Sequence, residues 1–520
     1  MAEKNVRIRT IVLLIMTIVL CVGVAIYHGY YKEYFYEDEV LSFTLSNSHK
    51  GAYFNLKPGT WYQGEELYDY LYVHDGEGFD WQNVIYNQKQ DSHPPVYALL
   101  LHASSSLFSG DFSKWAGISL NLVFFVLLMF FYYLLIRELF PDRPYFAAIM
   151  CLILGLTLGI QTMAVYIRMY VILMTLAVLC ILWHVKMLHK NGTHITSFIV
   201  LAAMDYLGVM THWFYIFILF FIALFYCLLI LHRKMWRGLI GYLAATAVAA
   251  GMVLFTWRVT VWQLFSEETG NDAVTQELSA GSILQKLKEM THLVNEAVFG
   301  SKLRLVLLVL VCYLIYLLVQ NRKNLKNVLQ LRPELKPELS MVIFSTIMFY
   351  LTVSVVTPYV AYRYVSPVFP FMILLTVLAL EKVMNAVLRS GRLGMALIVL
   401  FFILPELSVL HSGLVDVDRR IIDEYSSLHS DDICLFYSGI SPEENVFELR
   451  KFDRIYVYAD PEFTGVEGIA EADEVLIYIP AGEDIDPYIN SVQRANPSLR
   501  YADRLYVAYY STCYVVSSEL

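Results

Sequence analysis

Five short stretches of the chain carry side chains that move protons, hold anions or bind cations. The first is Glu37-Asp38-Glu39. Carboxylates close to one another and to lipid favour the neutral form through desolvation and mutual repulsion. Such a group suits a general base that takes a proton from a hydroxyl, or a pair that holds a cation; it equally suits an ordinary acidic helix end. The second is Asp91-Ser92-His93-Pro94-Pro95-Val96-Tyr97. Proline is tolerated in the first turn of a helix, so this stretch predicts a helix start capped by Asp91 or Ser92. His93 then either lies idle near that start or faces an anion there. Three more stretches are Tyr166-Ile167-Arg168-Met169-Tyr170, Thr211-His212-Trp213 and Tyr362-Arg363-Tyr364. An arginine near the membrane core is costly and usually paired, and its planar fork matches phosphate oxygens. An arginine flanked by tyrosines also anchors a helix at the interface by snorkelling. His212, taken alone, reads as structural.

These stretches lie between long apolar runs. Of 520 residues, 58% are hydrophobic and 16% charged, with a mean hydropathy of +0.53; a soluble domain is about 45–50% apolar and about 25% charged. That excess cannot be hidden inside a water-soluble globule of this size, so most of the chain must face lipid. Disordered, collagen-like and disulfide-scaffold classes are excluded. A balance of 38 Lys/Arg against 47 Asp/Glu gives no support for nucleic-acid binding. Only Cys434 and Cys513, of seven cysteines, sit in polar sequence, where a single disulfide can form.

A spanning helix needs about 20 mostly apolar residues. Eleven such runs lie near 8–29, 115–137, 144–161, 166–185, 195–211, 213–231, 238–257, 303–320, 339–357, 364–381 and 393–410. The first is long and flanked by His28-Gly29-Tyr30-Tyr31 with no small-residue cleavage site, which predicts an uncleaved helix. With a cytoplasmic N-terminus the inner loops carry Arg137/Arg143, Lys186/Lys190, Arg233/Lys234/Arg237, Arg322/Lys323/Lys326 and Lys382/Arg389/Arg392. The outer connections near 162–165 and 211–212 carry no Lys or Arg, as the positive-inside rule requires. The segment 30–114, a loop near 258–302 and the chain after 410 then lie outside the cell membrane. The sequon Asn191-Gly192-Thr193 falls inside and reads as an accident. All five chemical stretches share the outer side.

Segment 30–114 is too long for a plain connection. It is rich in Tyr and Trp and ends in Val96–Leu107, apolar but too short to span, which fits helices lying in the interface. The tail, 411–520, has 8 Lys/Arg against 21 Asp/Glu and alternates β-rich runs (Ile433–Tyr437, Arg454–Tyr458, Glu474–Ile479, Leu505–Tyr510, Tyr514–Val516) with acidic stretches. Helices near 442–450 and 484–495 complete a small α/β domain. The fold expected is a polytopic α-helical membrane domain over 1–410, with about eleven spans, and a soluble extracytoplasmic α/β domain over 411–520.

The order of these elements resembles a known family. One helix after a cytoplasmic N-terminus, Asp38-Glu39 on a long first outer loop, and His93-Pro94-Pro95-Val96-Tyr97 are similar to the GT-C membrane glycosyltransferases. The nearest branch is glycosyltransferase family 39 with its bacterial relatives, which include protein mannosyltransferases and the lipid A aminoarabinose transferase. Arg168-Met169-Tyr170 and Arg363-Tyr364-Val365-Ser366-Pro367, with Pro370 following, also resemble family landmarks. The resemblance covers roughly residues 8–410. It implies an inverting transferase that takes a sugar from a polyprenyl-phosphate donor to a lipid, protein or glycan acceptor. By that resemblance Asp38 is the base and Glu39 supports geometry or a cation. Arg168 and Arg363, with Tyr170 and Tyr364, meet the donor phosphate, and His93, Tyr97 and His212 line the pocket. Some relatives use a divalent metal near the acidic pair and others do not; Asp38, Glu39 and His93 are the residues that would hold it. Lys50, Lys57 and Arg258 are further candidates for the phosphate.

Two other classes compete. A transporter or lipid flippase places charge near the membrane midplane, where this chain has mainly Asp205 and Glu406. A sensor or scaffold would put its activity in the tail and make Asp38 irrelevant. The tail's acidity disfavours docking to an anionic polymer, and no Gly-rich phosphate loop occurs in it.

Overall fold

A computed structural model describes residues 2–190, 194–265, 280–320, 336–388, 390–409, 433–507 and 511–518. The sequon at 191–193 and the basic residues Arg322, Lys323, Lys326 and Arg389 lie outside the described residues. The chain forms two compact units, one of Met1–Tyr31, Ser92–Tyr97 and Gly117–Leu414, the other of Lys32–Asp91, Ala98–Ala116 and Val415–Leu520.

The first unit is helical because its apolar runs must satisfy every backbone N–H and C=O internally in lipid. Among the described residues, nine helices are long and apolar enough to cross a membrane, and the pair Phe146–Gly155 and Leu158–Val165, bent by 63°, makes a tenth crossing if counted as one span. The chain is an integral membrane protein. The run expected over 195–211 is a helix of 15 residues, Ile195–Val209, about 22 Å long and short of the roughly 30 Å hydrocarbon core. That helix accounts for the difference from eleven full-length spans. The region expected as a loop near 258–302 contains the helices Thr260–Phe265 and Ala280–Phe299.

The bend at residues 155–158 has a visible compensation. Gly155 ends the first half where a Cβ would press on the Cys21 side chain, so close packing keeps this position small. Breaking the helix frees carbonyls, and Gln161 Nε2 donates to Gly155 O at 2.5 Å and to Cys21 O at 3.1 Å. Between Ala2–Tyr31 and Gly391–Val409, His28 Nε2 and Glu406 Oε1 lie 2.5 Å apart, each side chain 1% exposed.

The second unit is built on a six-stranded sheet in the order β1-β3-β2-β4-β6-β5, with β1 Trp61–Tyr62, β2 Ile433–Tyr437, β3 Arg454–Tyr458, β4 Glu474–Pro480, β5 Tyr501–Val507 and β6 Ser511–Ser517. β2 runs parallel to β3 and β4; the other pairs are antiparallel. Short helical turns at Pro442–Glu444 and Val446–Leu449 and a helix at Asp486–Ala495 lie between strands. β1 comes from the long segment after the first helix, and Lys32–Asp91 therefore groups with the tail rather than with the membrane helices. Its strand pairs Trp61 with Tyr456, Arg450 Nε reaches Glu65 at 2.9 Å, and a Cβ on Gly64 would fall on the backbone of Leu449. The loop also holds the helices Glu37–Asn47, Gly64–Tyr68 and Trp81–Gln88. Cys434 and Cys513 are free, buried thiols on β2 and β6. With β4 between them, two strand spacings of about 4.8 Å exceed the reach of a disulfide.

Candidate functional site

Seven of the nine candidate residues belong to the first unit: His93, Tyr97, Arg168, Tyr170, His212, Arg363 and Tyr364. Arg168 lies in a break. The helix Leu158–Val165 stops at an extended Tyr166, whose carbonyl accepts from Asn121 Nδ2 at 2.5 Å and from Arg168 N at 2.7 Å. Arg168 is only 5% exposed. Next to it, the helix Lys114–Leu139 approaches so closely that a Cβ on Gly117 would overlap the Ile167 side chain. The backbone then re-enters a helix at Tyr170, which is buried.

His212 sits in the turn after Ile195–Val209, where the N–H groups of Thr211 and His212 both donate to Gly208 O at 3.2 Å. Phe214 N donates to His212 Nδ1 at 3.0 Å. The neutral ring therefore carries its hydrogen on Nε2, which makes that nitrogen the donor. The His93 stretch is strapped to the same turn. Val96 N donates to Met210 O at 3.1 Å, Trp213 Nε1 to Ser92 O at 2.8 Å, and Gln263 Nε2 to His93 O at 3.3 Å. Pro94, Pro95 and Tyr97 are buried beside it. Arg363 lies in a tight helical turn, Tyr362–Val368, that leads into the helix Phe369–Leu388. Ser366 Oγ donates to its carbonyl at 2.7 Å, and its guanidinium carbon stands 5.2 Å from the centre of the Tyr364 ring.

Ring contacts join these pieces into one cluster. His93 meets His212 at 5.4 Å, His212 meets Tyr170 at 5.9 Å, and Tyr170 meets Tyr364 at 6.3 Å between centroids. Phe214 closes the circuit, 4.8 Å from His212 and 5.4 Å from Tyr364. Three breaks between helices, distant in sequence, thus meet at one end of the bundle. Trp213, Gln263, Asn121 and Gly117 hold this arrangement and were not among the residues expected. Trp213 belongs to a stretch singled out by type; Asn121 and Gln263 contact backbone atoms and Gly117 packs on one side chain, which leaves no pattern in a sequence.

Asp38 and Glu39 belong to the second unit. They occupy the first turn of Glu37–Asn47, where the helix dipole favours negative charge. Glu39 is fully buried and accepts from Lys32 Nζ at 2.9 Å and from Tyr36 N at 3.1 Å. It caps its own helix, and the Lys32 ammonium, itself 4% exposed, supplies the positive charge its carboxylate needs. Glu39 therefore fits a structural ion pair better than a metal ligand. Asp38 is partly exposed, and its carbonyl accepts from Ser42 Oγ at 3.0 Å. Among the described residues no three His, Cys, Asp or Glu side chains converge as a metal site.

The tail touches this helix through Ser441. Its hydroxyl lies 2.8 Å from Glu37 Oε1 and 2.6 Å from Glu443 Oε2. One hydroxyl hydrogen serves two carboxyl groups. Burial, with the nearby Glu37 charge, pushes the Glu443 carboxyl up. Of the other cations, Lys50 is engaged by Asp69 at 3.1 Å, and Lys57 and Arg258 are exposed.

No protein-family model matches the chain, and no curated protein matches it in sequence. Among solved structures, the chain is similar to ArnT from Cupriavidus metallidurans bound to undecaprenyl phosphate, at 11% identity and a TM-score of 0.43, over 82% of this chain and 88% of that one. It is also similar to the archaeal oligosaccharyltransferase AglB from Archaeoglobus fulgidus in complex with an inhibitory peptide and a dolichol-phosphate. That match has 10% identity and a TM-score of 0.44, over 94% of this chain and 68% of that one.

Proposed function

We propose that the chain is an inverting glycosyltransferase that moves a sugar from a polyprenyl-phosphate donor to an acceptor at the extracytoplasmic membrane surface. The observation that carries this reading is the cluster of His93, His212, Tyr170, Tyr364 and Arg363 at one end of an apolar bundle, with Arg168 buried in one of the breaks that build it. Guanidinium, phenol and imidazole N–H groups at the end of lipid-facing helices suit a ligand with a phosphate head and an apolar tail. In this scheme Arg168 and Arg363 face the donor phosphate, helped by Tyr170 and Tyr364, while His93, Tyr97 and His212 line the pocket. Asp38 takes the proton from the acceptor hydroxyl. The hydroxyl oxygen bonds to the anomeric carbon as the carbon–oxygen bond to phosphate breaks, and the phosphate leaves with that electron pair. Glu39 serves by holding the Asp38 helix.

The test is donor binding to purified protein in lipid nanodiscs. Arg363→Ala and Arg168→Ala should each weaken polyprenyl-phosphate binding by roughly 10- to 100-fold, the worth of a charged hydrogen bond. Unchanged affinity in both would refute the phosphate assignment. Two observations favour a transporter instead: the bent helix pair and the buried His28–Glu406 pair, both inside the bundle. Flux across proteoliposomes without chemical conversion of the donor would support that alternative.

A further inference from the structure

At the opposite end of the bundle a groove of about 940 Å³ opens between the turn at 143–146 and the start of Gly391–Val409. Glu381, on its rim, lies twelve residues beyond Phe369, about 18 Å along that helix and away from the histidine cluster. The floor of the groove is apolar, formed by Ile149, Met395, Val399 and Leu400. Its rim is charged. Arg143 makes a two-pronged pair with Glu381, at 2.9 and 2.5 Å, and stacks on Phe146 with 3.9 Å to the ring centre. That guanidinium is fixed in place and its charge is met. Arg392, on the same rim, is exposed and has no ion pair among the described residues. Tyr145, also lining the groove, is 40% exposed, as amphipathic rings at headgroup level are.

An apolar channel in a lipid-facing wall, ending in one unmatched positive charge beside a neutralised pair, has the complement of a membrane lipid with a negative head. We propose that the groove holds one anionic glycerophospholipid, its phosphate against Arg392 at the rim and an acyl chain along Met395 and Val399. Arg143 borders the headgroup, but Glu381 cancels its pull. The site is independent of the sugar-transfer reading, since it uses neither Asp38 nor the histidine cluster.

Native mass spectrometry of the full-length protein, with phosphatidylglycerol and phosphatidylcholine of matched chains as probes, tests the proposal. Near a membrane surface one Arg shifts anionic-lipid binding by about fivefold, so phosphatidylglycerol should be retained about fivefold better. Arg392→Ala should abolish that preference while leaving phosphatidylcholine retention unchanged. Glu381→Gln should do the reverse, freeing Arg143 and raising the preference by roughly another fivefold. Ala396→Trp, which fills the groove, should weaken both lipids together. Equal retention of the two lipids by the wild-type protein, or a preference that survives Arg392→Ala, would overturn the assignment.

Discussion

Two carboxylates that adjoin in sequence do different work. Glu39 is buried against Lys32 and caps its helix, whereas Asp38 is partly exposed. Removing one partner of a buried pair costs about 3–5 kcal/mol, because the other charge is left uncompensated. Glu39→Gln should therefore lower the thermal midpoint of the purified protein and reduce its yield. A variant that unfolds at the wild-type temperature would show that the pair is not structural. His102 gives a second residue-scale prediction. It is fully buried in the second unit, near Asn47 at 3.4 Å, and burial lowers its pKa below the ordinary 6.5. The unfolded chain then binds the proton more readily than the folded one. The stability this histidine provides is complete above about pH 6.5 and is lost as pH falls below it. Thermal midpoints measured between pH 8 and 5 should fall more steeply for the wild type than for His102→Gln; identical slopes would contradict the burial argument.

At the scale of elements, the site depends on how helices stop. Arg168, His212 and Arg363 all lie in breaks; the first two are held by contacts to backbone atoms from another segment, the third by Ser366 within its own turn. Gly117 is the tightest of these supports. Gly117→Ala would push its new methyl into Ile167, two neighbours are then forced apart beside Arg168, and overpacking of this kind costs about 1–3 kcal/mol. The substitution should lower both stability and donor binding, and adding Ile167→Ala should restore much of each. Lack of any rescue by the second substitution would mean the close approach is not what matters there. The helices themselves were legible as apolar runs, because lipid demands long uninterrupted stretches. Their interruptions were less so. The bend at 155–158 occurs within a continuous apolar run, and its compensation by Gln161 depends on three-dimensional contact.

For the whole molecule, hydropathy separated a membrane part from a polar tail, and the β-rich runs near 433–437, 454–458, 474–479 and 514–516 fall on β2, β3, β4 and β6, whereas the run expected over 505–510 overlaps β5 only at 505–507 and ends outside the described residues. Hydropathy did not reveal that the long segment after the first helix folds with that tail. The link is a two-residue strand, β1, and side-chain contacts such as Ser441 with Glu37 and Arg450 with Glu65, features too short and too local for periodicity to register. The short element places the tail beside the helix that carries Asp38 within one unit. A role for the tail in holding the helix that carries Asp38 follows from the Ser441–Glu37 contact. The candidate residues were legible by type, since carboxylates, histidine and arginine are rare beside lipid, and five of them proved to share one cluster through their rings or a stacked guanidinium. The central claim is that this chain performs sugar transfer with Asp38 as base. It is tested most directly by measuring transfer from a polyprenyl-phosphate-linked sugar with purified wild-type protein and Asp38→Asn in lipid nanodiscs, with matched thermal midpoints. A general base contributes about 10²- to 10⁴-fold, so the wild type should release free polyprenyl phosphate and the variant should be slower by at least about a hundredfold; transfer at the wild-type rate by Asp38→Asn would contradict the account.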